Sequence, residues 1–139
     1  METDKQLFYK EGYKYQTSRE YHVATGIKIP APAKTDWLDM DVNGNLTIKK
    51  GYAWDGCSGP TWDDSTNLRG SCIHDSGYQL IRLGLIPEPT RKQWDLTFQR
   101  SCRTDGMAKL RAWYYFEGVR NFAEFATDAK REPKELHAP

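Results

Sequence analysis

The stretch "RGSCIHDSGYQLIRLGL", residues 69–85, decides how this chain is read: it carries a helical apolar pattern with two adjacent ionisable residues, His74 and Asp75, at its centre. Each helical residue advances about 100°, which places His74, Tyr78 and Ile81 within about 60° of one another and Asp75 at the rim of that face. Gly70 and Gly77 fall on the adjoining flank. There a missing side chain costs roughly 1 kcal/mol of helix stability each but lets another segment come close. The spacing predicts a tightly packed helix with a histidine on its inward side, capped by Ser65, Thr66 or Asn67 and stopped near Gly84.

Upstream, "GCSGPTWDDSTN" (56–67) is a loop by composition, and a long ordered loop usually carries function. Residues 6–56 read as strands. "KYQTSREYHVATGIKI" alternates β-branched and aromatic residues, and Asn43-Gly44 between two such runs predicts a tight hairpin, because both residues accept positive φ. Downstream, "IPEPTRKQWDLTFQRSCRTDG" starts a second helix with Thr90 and Gln93 spaced as a capping box and Gly106 as its stop. "MAKLRAWYYFEGVRNFAEFATDAK" predicts a third helix, with Leu110, Trp113, Tyr114, Val119 and Phe122 on one broad face. The expected fold is α+β: an N-terminal antiparallel β-hairpin or sheet, a glycine-rich loop, then three helices. A single domain over 1–128 and a flexible tail over 129–139 complete it.

At 139 residues the chain fits one domain, and five Trp, eight Tyr and five Phe supply much of its core. A net charge of +1 gives no global field for nucleic acid or an anionic membrane, and the arginines and lysines around Trp94 and Trp113 read as solvated helix faces. There is no signal-peptide pattern and no apolar run long enough to span a bilayer, so the expectation is a soluble chain in a reducing cytoplasm. Cys57, Cys72 and Cys102, odd in number and irregular in spacing, read as free thiols rather than a disulfide framework. Zinc is disfavoured, since Cys72 and His74 lie about 200° apart on a helix. Trp54 and Trp62 are candidate exposed anchors for a partner surface.

Asp95, on the second helix, lies within about 60° of Phe98 and about 20° of Cys102, at the edge of an apolar face. If the short link "GLIPEPT" makes the two helices antiparallel, His74 and Asp95 meet. A carboxylate on one imidazole nitrogen fixes the tautomer and leaves the other free to take a proton from water. Asp75 points instead toward the loop. A carboxylate beside glycine-spaced carbonyls suits Ca²⁺, with Asp55, Asp63 and Asp64 as further oxygens, and base, water and cation together suggest an ester hydrolase. The alternative is a structural His-Asp network in a non-catalytic protein, with Tyr78 as plain aromatic core and Asp55 bonding backbone in its turn.

"GCSGP", "HDSGY" and "RKQWDLTF" resemble, in that order, the calcium loop, His-Asp-x-x-Tyr helix and aspartate-bearing helix of phospholipases A2, above all the compact type in parvovirus capsids. The resemblance covers about Gly56 to Phe98. It implies His74 as base, Asp95 and Tyr78 as its supports, and Asp75 as calcium ligand with the carbonyls of Cys57, Ser58 and Gly59. The many disulfides of secreted members and their lack of an N-terminal sheet are departures. "GYAWDGCSGP", "RGSCIHDSGYQL", "RKQWDLTF" and "YYFEGVRNF" together resemble, along most of the chain, a bacteriophage and prophage family, domain of unknown function 1353. That resemblance implies a phage protein of host cytoplasm or virion. It names no activity; taken with the site chemistry above, the expectation is a chain that acts on a lipid or cell-envelope substrate during infection or lysis, or binds a phage or host protein.

Overall fold

The computed structural model describes residues 1–10, 15–56 and 63–127, with 9–10 and 122–127 by backbone alone. Among the described residues seven short strands come first: β1 (Tyr9–Lys10), β2 (Tyr15–Thr17), β3 (Tyr21–Ala24), β4 (Ala33–Lys34), β5 (Leu38–Met40), β6 (Asn45–Ile48) and β7 (Ala53–Trp54). They form two antiparallel sheets, ordered β1-β2-β7 and β3-β6-β5-β4. Three helices follow, α1 (Leu68–Arg82), α2 (Arg91–Thr104) and α3 (Lys109–Thr127), with a 3-10 turn at Glu88–Thr90 before α2. The fold is α+β, sheets first and helices after. Among the described residues no helix is long and apolar enough to cross a membrane.

The period-two pattern explains the larger sheet. Tyr21 and Val23 face Ile48 and Leu46 across β3–β6, while Leu38 and Met40 face the same two residues across β5–β6. All six are buried, and their in-between neighbours turn outward. The tight hairpin expected at Asn43-Gly44 is present, joining β5 to β6, but Asn43 does not take positive φ. Asp41 donates its N–H to the Asn45 carbonyl and accepts the Gly44 N–H, so Val42, Asn43 and Gly44 form the loop. Only Gly44 has positive φ, +90°. The Asp41 carboxylate takes the N–H groups of Asn43 and Asn45, and this side-chain bonding holds Asn43 in ordinary backbone.

Gly84 (φ +73°) and Gly106 (φ +103°) end α1 and α2 as their composition predicts. In each, two N–H groups fold back on the last turn: Gly84 to Ile81 and Leu85 to Leu80, then Gly106 to Arg103 and Met107 to Cys102. The helix starts differ from expectation. Asn67 occupies the N-cap of α1 without a side-chain cap bond, and its Oδ1 accepts the Asp64 N–H instead. Thr90 makes no capping bond either. Already helical as the last residue of the 3-10 turn, it donates its hydroxyl to the Pro87 carbonyl, so no capping box closes with Gln93.

The glycine flank of α1 is where α2 docks. A Cβ on Gly77 would lie 2.1 Å from Trp94 Cδ2, and one on Gly70 would lie 3.1 Å from Phe98 Cδ1. One apolar cluster joins the larger sheet to α1 and Trp94; a second joins Phe98 and Cys102 of α2 to Met107, Ala112, Tyr115 and Val119. Two expectations fail here. Of the face expected on α3, Val119 is buried, with Ala112 and Tyr115, whereas Leu110, Trp113 and Tyr114 face outward and the side chain of Phe122 lies outside the described residues. Trp54 is not an exposed anchor: it is 3% exposed and donates Nε1–H to the Ser71 hydroxyl at 2.9 Å, pinning β7 to α1. Trp62 and the tail over 129–139 lie outside the described residues.

Candidate active site

The α1–α2 contact brings His74 and Asp95 together. His74 Nε2 lies 2.6 Å from Asp95 Oδ1, and the Tyr78 hydroxyl donates to the same oxygen. Arg120 of α3 donates from Nη1 to Asp95 Oδ2 at 2.8 Å. Asp95 is fully buried, so these three donors replace the water its charge has lost. Burial alone would push its carboxyl up; the bonds from His74, Tyr78 and Arg120 outweigh that and hold it below the usual carboxylate range. Tyr78 is driven the other way, by burial and then by the Asp95 charge, and stays a protonated donor.

With Asp95 accepting at Nε2, the neutral imidazole carries its proton there and its lone pair on Nδ1. Nδ1 makes no hydrogen bond among the described residues. The ring is clamped between aromatics, 4.0 Å from the Tyr78 centroid and 5.4 Å from that of Phe98, so it bridges the two apolar clusters. A histidine held at one nitrogen by a buried carboxylate, with the other nitrogen open, is equipped to move a proton.

Asp75 stands apart from this network and is partly buried against the sheet side. Burial, with the charges of Asp55 and Asp63 added, pushes its carboxyl up to about 7, against the opposing pull of Arg82. The same charge, after burial, raises the Tyr52 phenol, so Asp75 also lies near β7. Tyr15 donates its hydroxyl to Asp63 Oδ2 at 2.9 Å, and a Cβ on Gly56 would collide with that carboxylate at 2.3 Å; Gly56 and Asp63, seven positions apart, therefore meet in space. These carboxylates, gathered beside Arg82, are oxygen donors of the kind a hard cation takes. Among the described residues, though, no three His, Cys, Asp or Glu side chains converge to hold a metal. Asp75 would thus need main-chain oxygens, and the expected carbonyls of Cys57, Ser58 and Gly59 lie outside the described residues. Asp64 faces away from these carboxylates, binding Arg111 at 2.7 Å and the Thr66 N–H.

Cys72 is fully buried, its thiol raised well above the ordinary value by burial and the Asp75 charge, and Cys102 is pushed up to about 12 by burial. Both are free cysteines.

Sequence reasoning missed Arg120. The available signal was the demand itself: a carboxylate on the apolar edge of α2 needs a counter-charge, and α3 is the remaining helix that can bring one. No family model, curated protein or solved structure matches the chain.

Proposed function

We propose that this protein is a hydrolase of carboxylic esters, of the metal-assisted kind that its resemblance to phospholipases A2 implies, acting on a lipid or cell-envelope substrate in phage infection or lysis. One observation carries the reading: His74, Tyr78 and Arg120, from two helices, converge on the fully buried Asp95, while Nδ1 of His74 is left without a hydrogen bond among the described residues. A fixed tautomer is common to a structural and a catalytic histidine; the unbonded Nδ1 is what a base needs in addition.

In this mechanism Nδ1 of His74 takes a proton from water as the water oxygen adds to the ester carbonyl carbon. Asp95 stabilises the imidazolium, and Tyr78 and Arg120 hold Asp95 in place. The imidazolium then returns the proton to the departing alkoxide as the C–O bond breaks, yielding acid and alcohol. A Ca²⁺ held by Asp75 with loop carbonyls would polarise the ester carbonyl and stabilise its developing negative charge.

His74→Gln keeps a hydrogen-bonding side chain of similar volume but cannot take up the proton. It is expected to fold as the native chain does by circular dichroism and to hydrolyse a panel of lipid and aryl esters at least about 10²-fold more slowly. Equal rates for His74→Gln and the native chain would remove His74 from the chemistry.

The Arg120 pairing favours a second reading, in which a charge-balanced network is purely structural in a non-catalytic virion or host-binding protein. The native chain would then hydrolyse nothing in the panel, and His74→Gln would change stability alone.

A further inference from the structure

α3 carries apolar surface on two sides. Ala112, Tyr115 and Val119 close on α2, while on the outward side of the first two turns Leu110, Trp113 and Tyr114 are 78%, 53% and 49% exposed. With Ala108 and Arg111 these three line an open groove of about 590 Å³. Lys109 lies about 40° from Trp113 around the helix and so borders the patch. Arg103 donates from Nη1 to the Met107 carbonyl at 2.6 Å, which fixes its guanidinium at the entry to α3. Neither Arg103 nor Lys109 joins an ion pair among the described residues, whereas Arg111 is paired with Asp64.

An exposed leucine, an indole and a phenol, with Lys109 bordering them and Arg103 held at the helix entry, match the chemistry of a bilayer interface. The rings sit at headgroup level, the leucine enters the acyl boundary, and the cations meet lipid phosphates. A second copy of the chain fits worse. Three side chains fall short of the roughly 800 Å² per partner that a stable interface buries, and a two-fold contact would set Arg103 and Lys109 against their own kind.

We propose that the first two turns of α3 form a docking surface for an anionic lipid bilayer. The surface requires no proton transfer and does not depend on His74 being a base; if both hold, docking delivers the chain to ester-bearing lipid.

The test uses the full chain and vesicles of diether lipids, which contain no ester, so binding is read apart from hydrolysis. Cosedimentation is expected with phosphatidylglycerol in phosphatidylcholine vesicles. The Leu110→Ser, Trp113→Ser double variant, altered only at exposed positions, should bind about tenfold more weakly. Arg103→Gln with Lys109→Gln should weaken binding to the anionic vesicles while leaving the small affinity for pure phosphatidylcholine as it was. Native chain remaining in the supernatant, or the double serine variant sedimenting equally, would overturn the proposal. So would a concentration-dependent dimer, abolished by that variant, in a chain that ignores vesicles. Failed vesicle binding with continued hydrolysis of a dispersed short-chain ester would sink this surface and spare the hydrolase; binding without any hydrolysis would do the reverse.

Discussion

Asp95 and Asp75 show how two carboxylates on neighbouring helices come to opposite fates. Asp95 has three donors and is held below the ordinary range. Its stabilising contribution is therefore complete above the unfolded carboxylate value of about 4 and is lost as pH falls through the lower, folded value. Asp95→Asn should cost about 3 kcal/mol at pH 7, because Arg120 and His74 lose their acceptor charge in a dry site, and should flatten the acid limb of a circular-dichroism pH titration. An unaltered acid limb would contradict this account. Asp75, pushed up to about 7, keeps a proton in the folded state that the unfolded chain releases, so stability declines as pH rises from about 4 to about 7. Because Asp75 is partly exposed, the effect is on the order of 2 kcal/mol. Asp75→Asn is expected to raise the melting temperature at pH 8 without calcium and, if Ca²⁺ binds as proposed, to abolish the rise that adding it should produce in the native chain. If the variant melts lower in calcium-free buffer, the buried charge is not the liability described.

At the scale of elements, glycine separates two kinds of helix position. Gly77 of α1 is overlaid by the Trp94 ring, so Gly77→Ala has no room for its methyl and should cost about 3 kcal/mol in urea unfolding. Gly118 of α3 has nothing within 4 Å, and Gly118→Ala should add about 0.5–1 kcal/mol. Similar losses at both positions would mean that the helices do not pack as described. The helix stops at Gly84 and Gly106 were legible because a positive φ is a local demand that glycine meets. Thr90 was misread because a preceding 3-10 turn had already taken its backbone. The buried side of α3 was misread because a helix rich in aromatics on all sides has no single apolar stripe, and the choice of Ala112, Tyr115 and Val119 was made by the shape of α2.

Across the whole molecule, Arg69 ties the layers together. It grips Asp105 through Nε and Nη2 and donates from Nη1 to the Tyr21 hydroxyl, joining α1, the α2–α3 link and β3. Arg69→Met is expected to cost about 2 kcal/mol and to lower the unfolding midpoint without changing the urea m-value, since one cooperative unit loses a clamp. A second unfolding transition would show instead that sheets and helices unfold separately. The α+β order and the pairing of His74 with Asp95 were readable beforehand, because alternation, helical period, glycine stops and a short interhelical link act over few residues. Where Arg120 lands, which way Trp54 and Trp113 face, and how close Asp75 comes to Asp55 and Asp63 depend on how three helices and two sheets stack. Those contacts join residues far apart along the chain, and only the packed structure decides which of several equally apolar or charged side chains is enclosed.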